Sequence, residues 1–258
     1  MIQAPLRPSG RFPAPDNRLA RKLEAFTRLS ARDKTALDRV WKCQRQICTA
    51  QRDLICEGDV PHRVPMIVDG WACRYKALLD GRRQITGFFL PGDICDFNVF
   101  ILKRMDHSIR ALTAVTYVAL SPPDVEELTS AHPRIMHGLW RESLVNASIQ
   151  REWTVNLGQR SALERLAHLL CELFIRLRIV GMTRECSCEF PVTQSELADT
   201  LGLTAVHVSR TIKSLRARGL IRLQDRKLEI LDFDALRRIA LFDSNYLHLD
   251  RDSSGSDG

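Results

Sequence analysis

The strongest chemical signal in this 258-residue chain is a basic, acid-free segment towards its C-terminal end. From Thr204 to Arg222 there are five Arg and Lys residues and no Asp or Glu. Val208, Ile212 and Leu215 are spaced by four and three residues, which predicts a helix with these side chains facing inward. Four residues then face outward: Val206, Ser209, Arg210 and Lys213. Arg and Lys donors on an exposed helix suit the phosphates and base edges of a nucleic acid.

The residues before this helix predict how it is positioned. Thr193 and Glu196 form a T-x-x-E capping box, which starts a short helix by satisfying its first free amides. Gly202 permits the sharp turn that follows, and Thr204 can cap the basic helix. The segment from Thr193 to Ile221 is therefore predicted to be a helix-turn-helix, whose second helix enters a DNA major groove. The alternative is a small helical hairpin with a solvated basic face.

The overall charge supports an acidic partner without proving one. The formal net charge of +7 and the pI near 9.2 favour a polyanion. No run of about 18 apolar residues predicts a membrane span, and the first twenty residues do not resemble a secretion signal. The sequence thus predicts a cytoplasmic protein with a disordered arm over residues 1–18 and eight mostly reduced cysteines.

After the arm, the pattern changes from helical to strand-like. Apolar residues at helical spacing run from Leu19 to Val40, with a break near Ser30. Turn signals then recur about every eleven residues, with short β-prone runs such as 85–90 between them. From about Trp41 to Leu120 this spacing predicts a β-sandwich or barrel. A looped α+β domain is the alternative.

A long helix is predicted over residues 131–158, because no Gly or Pro falls between residues 139 and 157. Four apolar residues come near heptad spacing: Ile135, Leu139, Ile149 and Trp153. Ser143 and Asn146 interrupt that seam. Such a helix commonly mediates dimerisation, and a polar Asn can fix its register. The alternative is a helix that packs on its own barrel.

The last third of the chain, residues 159–240, predicts a winged helix-turn-helix domain. An apolar helix over residues 162–179 precedes a loop over 181–191, and two short strands over 222–231 form the wing after the helix-turn-helix. Residues 241–258 are predicted to be a partly disordered extension. The predicted fold class is therefore α+β, with a β-roll, a long dimerisation helix and a C-terminal winged helix-turn-helix.

These three parts, in this order, resemble the Crp–Fnr family of bacterial transcription regulators. The similarity covers about residues 19–240, and its most specific segments are 163–170, 192–221 and the turn Pro91-Gly92-Asp93. The resemblance implies a homodimer on a near-palindromic site in double-stranded DNA, with half-sites about one helical turn apart. It also implies that residues 19–130 form a β-roll or jelly-roll sensory domain, with an unknown small-molecule effector, and that RNA polymerase is a partner.

The resemblance identifies a candidate effector pocket that departs from the members of the family that bind cyclic AMP. In those members a ribose-binding Glu falls at Phe97 and a phosphate-binding Arg falls at His107, beside the matching Ser108. Phe97 cannot accept a ribose hydroxyl, and a mostly neutral His is a poor substitute for a guanidinium fork. The pocket is expected to include Asp96, Phe97, His107 and Ser108, and not to bind cyclic AMP.

The resemblance also assigns roles on the DNA-binding face. Arg210 matches the family's guanine-reading Arg, whereas Val206 replaces a Glu that accepts a hydrogen bond from cytosine. The half-site is therefore expected to differ while keeping the guanine under Arg210. Four residues match positions that grip phosphates: Thr193, Ser195, Thr204 and His207. Three tune neighbouring bases: Ala205, Val206 and Ser209. Lys213 and Arg216 are expected to add attraction for phosphates.

The cysteines offer a redox or metal role as an alternative. The oxygen-sensing branch of the family holds an iron–sulphur cluster on closely spaced N-terminal cysteines, but no Cys precedes Trp41 here. Cys43, Cys48 and Cys56 fall in predicted first strands and are too widely spaced for a usual cluster motif. Buried cysteines that act as small apolar residues are the default expectation. Cys186-Ser-Cys188 is predicted to be an exposed pair that could oxidise or take a metal, but two ligands do not make a site.

No residue constellation supports an enzyme. The chain contains no G-x-S-x-G, phosphate-binding loop or dinucleotide fingerprint, and its histidines do not form a barrel-type metal site. No metal or other cofactor is expected. A redox- or metal-responsive regulator is the alternative function, and a cupin-like barrel enzyme with a DNA-binding tail is a remote one.

Overall fold

The computed structural model describes residues 17–97 and 99–249. The predicted arm up to residue 16 and the end of the predicted extension, residues 250–258, lie outside the described residues. Within the described part, no helix is both long and apolar enough to cross a membrane.

Two helices come first, α1 (Arg18–Glu24) and α2 (Ala31–Trp41). α1 begins at its cap Asn17, whose Oδ1 accepts a hydrogen bond from the amide of Ala20 over 3.0 Å. Residues 17 and 18, assigned to the arm from the sequence, therefore belong to α1. The predicted break near Ser30 is confirmed, because Ser30 is the cap that starts α2.

Within the described residues, seven antiparallel strands form the barrel. They are β1 (Arg45–Cys48), β2 (Asp53–Ile55), β3 (Val64–Asp69), β4 (Ala72–Ala77), β5 (Arg83–Phe89), β6 (Ser108–Ala111) and β7 (Val115–Leu120). One sheet has the strand order β1-β7-β3, and the other has the order β2-β6-β4-β5. Met66 and Val118 of the first sheet share a buried core with Ile109 of the second. The two sheets thus pack face to face, which confirms the predicted β-roll.

The long helix α5 (Pro133–Gln159) follows two shorter helices, α3 (Val99–Leu102) and α4 (Pro122–Ser130). The long helix is confirmed, but its predicted dimer seam is wrong. All four seam residues are buried within the chain's own cores: Ile135, Leu139, Ile149 and Trp153. This face of α5 packs on its own protomer, which was the alternative left open by the sequence.

The C-terminal part contains four α-helices and four short strands within the described residues, followed by a 3₁₀ helix over Ser244–Leu247. They are α6 (Ala162–Ile179), β8 (Thr183–Arg184), β9 (Ser187–Glu189), α7 (Gln194–Leu201), α8 (Ala205–Ala217), β10 (Ile221–Gln224), β11 (Lys227–Ile230) and α9 (Phe233–Ile239). The strands form one antiparallel sheet in the order β10-β11-β9-β8. The predicted wing is confirmed, because β10 and β11 pair directly.

The predicted loop over residues 181–191 is wrong, because this segment forms the hairpin of β8 and β9. Glu185 makes the turn with φ +50°, and β9 pairs with the wing strand β11. Met182, Cys188 and Phe190 are buried while the charged residues between them face solvent. The strands are too short, and their turn too polar, for a periodic signal to appear in the sequence.

A buried ionic cluster joins the barrel to the helices. Lys22 of α1 contacts the carboxylates of both Asp93 and Glu142, and Nη2 of Arg176 reaches Asp93 Oδ2 at 3.3 Å and donates to the carbonyl of Phe88 over 2.8 Å. Burial raises the pKa of Asp93, but the charges of Lys22 and Arg176 outweigh burial and hold that pKa below its ordinary value. Burial dominates at Glu142 and raises its pKa. The cluster fixes α1, α5 and α6 to the turn that follows β5.

The chain after α9 packs back over α5 and α6. Glu172 of α6 accepts hydrogen bonds from Nε1 of Trp153 and from the hydroxyl of Tyr246, each over 3.0 Å. His168 packs against both Phe242 and Tyr246, with ring centroids 5.0 and 5.7 Å away. Burial and the charge of Arg160 lower the pKa of His168 to about 3, so its imidazole is neutral at pH 7. The described start of the extension therefore belongs to the folded core.

Candidate nucleic-acid interface

The turn between α7 and α8 is built as the sequence predicts. Thr193 Oγ1 accepts a hydrogen bond from the amide of Glu196, whose carboxylate accepts one from the amide of Thr193 over 2.7 Å. Gly202 ends α7 with φ +63°, a left-handed conformation that favours glycine. Thr204 Oγ1 then accepts from the amide of His207 over 3.2 Å and starts α8. These local bonds fix the direction of α8 relative to α7.

α8 buries one face and exposes the other. Val208, Ile212 and Leu215 are buried as predicted, and Thr211 joins them with its hydroxyl donating to the carbonyl of His207. The predicted DNA-contacting residues are exposed, apart from the half-buried Ser209: Thr193, Ser195, Thr204, Ala205, Val206, His207, Arg210 and Lys213. An apolar inner face and a polar outer face let α8 present side chains without losing its packing.

The exposed face of α8 carries cations that the protein does not neutralise. Within residues 17–97 and 99–249, no ion pair engages Arg210, Lys213 or Arg216. The neighbouring wing has one pair, between Arg222 and Glu229. Free guanidinium and ammonium groups on an exposed helix retain their hydrogen-bond donors for a polyanion.

Two concave surfaces lie beside α8, and they include residues that the sequence did not single out. One is lined by Thr204, Val206, His207 and Arg210, which brings together a predicted phosphate contact and predicted base contacts. The other lies between α7, α8 and the wing, and its polar lining is Thr193, Gln194, Ser209, Lys213, Arg216, Gln224 and Arg226. Gln194, Gln224 and Arg226 were missed because they lie on three different elements. The wing turn at Asp225-Arg226 (φ +50° and +57°) brings Arg226 to this surface.

A separate cavity of about 480 Å³ lies between the barrel and α5, within the usual size of small-molecule sites. Of the predicted effector residues, Asp96, Phe97 and His107 line it. Ser108 does not, because its buried hydroxyl turns away to accept a hydrogen bond from the amide of Glu57 over 2.9 Å. The cavity brings three of the four predicted residues together.

Asp96 and His107 in this cavity already have partners among its other side chains. Arg74 Nη2 donates to Asp96 over 2.5 Å, and the two ring nitrogens of His107 lie 2.9 Å from Asp96 and 2.6 Å from Asp106. The ring nitrogen of His107 that meets Asp96 is thus not free for a ligand phosphate. Two carboxylates flank His107, where a bound phosphate would meet like charge.

The cysteines do not assemble a reactive or metal-binding centre in the described part of the chain. No group of three or more His, Cys, Asp or Glu there could hold a metal ion. Cys188 is buried while Cys186 is exposed, so the predicted exposed pair is wrong: alternation along β9 turns Cys188 inward. Burial raises the pKa of Cys73, Cys171 and Cys188 to about 12, which keeps these thiols protonated and unreactive.

Two other cysteine expectations also fail. Cys43 lies between α2 and β1 rather than in a strand, and Cys56 directly follows β2. Cys43, Cys56 and Cys186 are exposed, so they do not act as small apolar core residues. Cys43 and Cys56 lie in exposed connecting segments at the start of the barrel, and Cys186 lies in the exposed turn between β8 and β9.

A ligand-sized barrel cavity, a long helix and an exposed basic reading helix define a DNA-binding transcription regulator. Residues 47–132 match the cyclic nucleotide-binding domain, and residues 164–239 match the Crp-like helix-turn-helix domain. The chain is 30% identical to the transcriptional activator protein FnrL of Cereibacter sphaeroides, over 76% of this chain and 80% of FnrL. It is 33% identical to the transcriptional activatory protein AadR of Rhodopseudomonas palustris, over 71% of this chain and 77% of AadR.

A solved structure shares the fold. FixK2 from Bradyrhizobium japonicum superimposes with a TM-score of 0.68 at 23% identity, over 76% of this chain and 96% of FixK2. The chain belongs to the Crp–Fnr family. Its relatives are transcription regulators and not enzymes, so the remote enzyme alternative is set aside.

Proposed function

We propose that the protein acts as a homodimer that reads a near-palindromic DNA site and whose effector is not cyclic AMP. The observation that carries the dimer is a second stripe on α5, which the protomer leaves exposed. It repeats at intervals of three and four residues: His137, Trp140, Leu144, Ala147, Arg151, Thr154 and Gly158. Trp140 is 60% exposed and Leu144 is 67% exposed, which is unusual for large apolar side chains on a helix. Heptad spacing is typical of helices that pair, so we propose that a second copy of α5 covers this stripe.

The dimer gives the reading helices a two-fold relation. Two copies of α8 related by the α5 axis would enter successive major grooves, with half-sites about one helical turn apart. We retain, as part of the proposal, a sensory domain over residues 19–130, a dimerisation helix over 131–158 and a DNA-binding domain over 159–240. Binding to chromosomal DNA would place the protein in the bacterial cytoplasm. The relative FnrL is a transcriptional activator. By analogy with it, we propose that this protein also contacts RNA polymerase.

On each half-site, the exposed face of α8 supplies the base contacts. Arg210 would donate to a guanine, and Val206 would meet an apolar base edge such as a thymine methyl. Ala205 and Ser209 would tune neighbouring positions. Phosphate contacts would come from the helix starts and the basic flank: Thr193, Ser195, Thr204, His207, Lys213 and Arg216.

Selection of bound sequences from random DNA tests this function. The expected product is an inverted repeat with a guanine at one position of each half and no requirement for a cytosine at the position that Val206 faces. Enrichment of a single, unrepeated half-site would contradict the homodimer. Enrichment of no sequence at all would contradict sequence-specific reading.

The barrel cavity is proposed to hold an effector of another kind. Cyclic AMP is expected not to bind, because Phe97 offers no acceptor to a ribose and His107 is held between Asp96 and Asp106. Isothermal titration calorimetry with cyclic AMP should give no saturable heat, and cyclic AMP should leave the DNA Kd unchanged. Saturable binding together with tighter DNA binding would refute this prediction.

A further inference from the structure

The barrel holds the first helix of the helix-turn-helix, α7, through three polar contacts on one face. The contacts, called the barrel clamp below, are Gln51–Glu196, Arg83–Asp199 and Gln84–Thr200. The α7 members of these pairs occupy positions i, i+3 and i+4, which share a helix face. Leu197 and Leu201 lie on the other side of α7, where they are buried in the core of the DNA-binding domain. The barrel therefore bonds only the face of α7 that this core leaves free.

The central contact is a charged pair that is largely removed from solvent. Asp199 Oδ2 accepts from Nε of Arg83 over 2.8 Å and lies 2.7 Å from Nη2, so both nitrogens of the fork meet one oxygen. The side chains of Arg83 and Asp199 are 20% and 29% exposed. The guanidinium also lies 5.6 Å from the ring centroid of Tyr75. An ion pair that is mostly buried and has an aromatic ring on one side restricts the movement of α7 more than a pair on the open surface would.

The two outer contacts anchor both ends of α7. Gln84 Nε2 donates over 3.0 Å to the carbonyl of Thr200, one of the last four carbonyls of the helix, which have no partner within it. Gln51 Nε2 donates over 3.0 Å to Glu196, the same residue that closes the capping box. Gln51 holds this position with φ +63°, a conformation that L-residues rarely adopt. Both ends of α7 thus depend on the barrel.

Strand β5 joins this clamp to the proposed dimer axis. β5 carries Arg83 and Gln84, while its Thr86 carbonyl accepts a hydrogen bond from Gln150 of α5. The ring of Phe88, at the far end of β5, lies 6.0 Å from that of Trp153 on α5. On the other side, α7 is joined to α8 by the short turn that the capping bonds fix. β5 and the barrel clamp therefore form a second connection between α5 and α8, beside the packing of α8 on α6, which directly follows α5.

We infer that the barrel clamp determines which half-site spacing the protein accepts, with Arg83, Gln84 and Gln51 as the positioning residues. The inference rests on the proposed homodimer, in which the distance and rotation between two reading helices must match the DNA. A change of one base pair between half-sites rotates one of them by about 35° and moves it by about 3.4 Å. The clamp adds to the core packing that holds α7 against that rotation, and its removal lowers the resistance to it.

The test compares DNA duplexes that share two half-sites and differ by one base pair in the spacer. Wild type is expected to lose at least about tenfold in affinity when the spacer is lengthened or shortened. For the double variant Arg83→Ala/Gln84→Ala, the loss should shrink to about threefold or less, because freed domains adapt to either spacing. Its affinity for a duplex with one half-site should equal that of wild type, since α8 is untouched.

Two further variants make the result decisive. Arg82→Ala removes the neighbouring arginine, which is exposed and pairs with Asp80 in the hairpin, and should keep wild-type discrimination. Asp199→Asn keeps the side-chain size and breaks the charged pair from the α7 side, and should lose discrimination like the double variant. Unchanged discrimination in both clamp variants would overturn the inference. A wild type that binds one half-site as tightly as two would instead overturn the homodimer proposal on which it rests.

Discussion

Replacing both Trp140 and Leu144 with Glu is expected to convert the protein into a monomer that no longer binds its paired site tightly. Both side chains lie on the exposed heptad stripe, so in a dimer the substitutions would set four carboxylates against one another at the seam. Binding through two linked half-sites gains about 100-fold or more over one half-site, and this gain is what the variant loses. Sedimentation velocity gives the mass, and fluorescence anisotropy gives the DNA Kd.

A matched control distinguishes dimer loss from a general effect of an exposed acid. Leu79 is fully exposed in the hairpin between β4 and β5, far along the chain from α5. Leu79→Glu is expected to remain dimeric and to bind DNA as wild type does. The dimer seam would be refuted if the Trp140/Leu144 variant kept its dimer mass, or if it became a monomer and still bound the paired site with full affinity.

Arg210→Ala is expected to lose about 1–3 kcal/mol of specific binding and to relax the preference at one base position of each half-site. Arg210 is exposed on α8, forms no ion pair within the described residues and shares a concave surface with Val206 and His207. A guanidinium with free donors is the group best suited to the two acceptors of guanine in the major groove. Binding to duplexes with each substitution at that position measures the effect.

Lys213→Ala serves as the comparison, because its role is proposed to be attraction for phosphates. It should weaken binding to all sequences alike and reduce the slope of affinity against salt by about one. If Arg210→Ala also weakened binding to every sequence equally, Arg210 would be a phosphate contact and the base-reading role would be wrong.

The helix-turn-helix could be predicted from the sequence because every part of it is specified locally. The capping box of Thr193 and Glu196, the turn at Gly202 and the inward spacing from Val208 to Leu215 each depend on residues within one or two helical turns. The β-roll was predictable for a related reason, since its turn residues recur at strand spacing. The long helix also follows from its uninterrupted sequence.

The features that escaped prediction depend on contacts between distant parts of the chain. α5 has apolar residues on two faces, and only the folded barrel shows that Ile135 and Trp153 face inward while Trp140 faces outward. The hairpin of β8 and β9 exists because the wing strand β11 lies beside it. The family resemblance places Ser108 in the effector pocket, yet its hydroxyl accepts a hydrogen bond from the amide of Glu57. None of these three features is determined by residues that lie close together in the sequence.

The ionic cluster around Lys22 has a consequence for how this sequence can diverge. Lys22 faces Asp93 and Glu142, and these three side chains are 14%, 7% and 6% exposed. Loss of one partner leaves an uncompensated buried charge, whereas replacing a matched set with apolar residues is often tolerated. Because Arg176 of α6 also reaches Asp93, the four positions on α1, the barrel turn, α5 and α6 are expected to change together among descendants, so that a correlated set of four in an alignment would mark where these parts of the molecule meet.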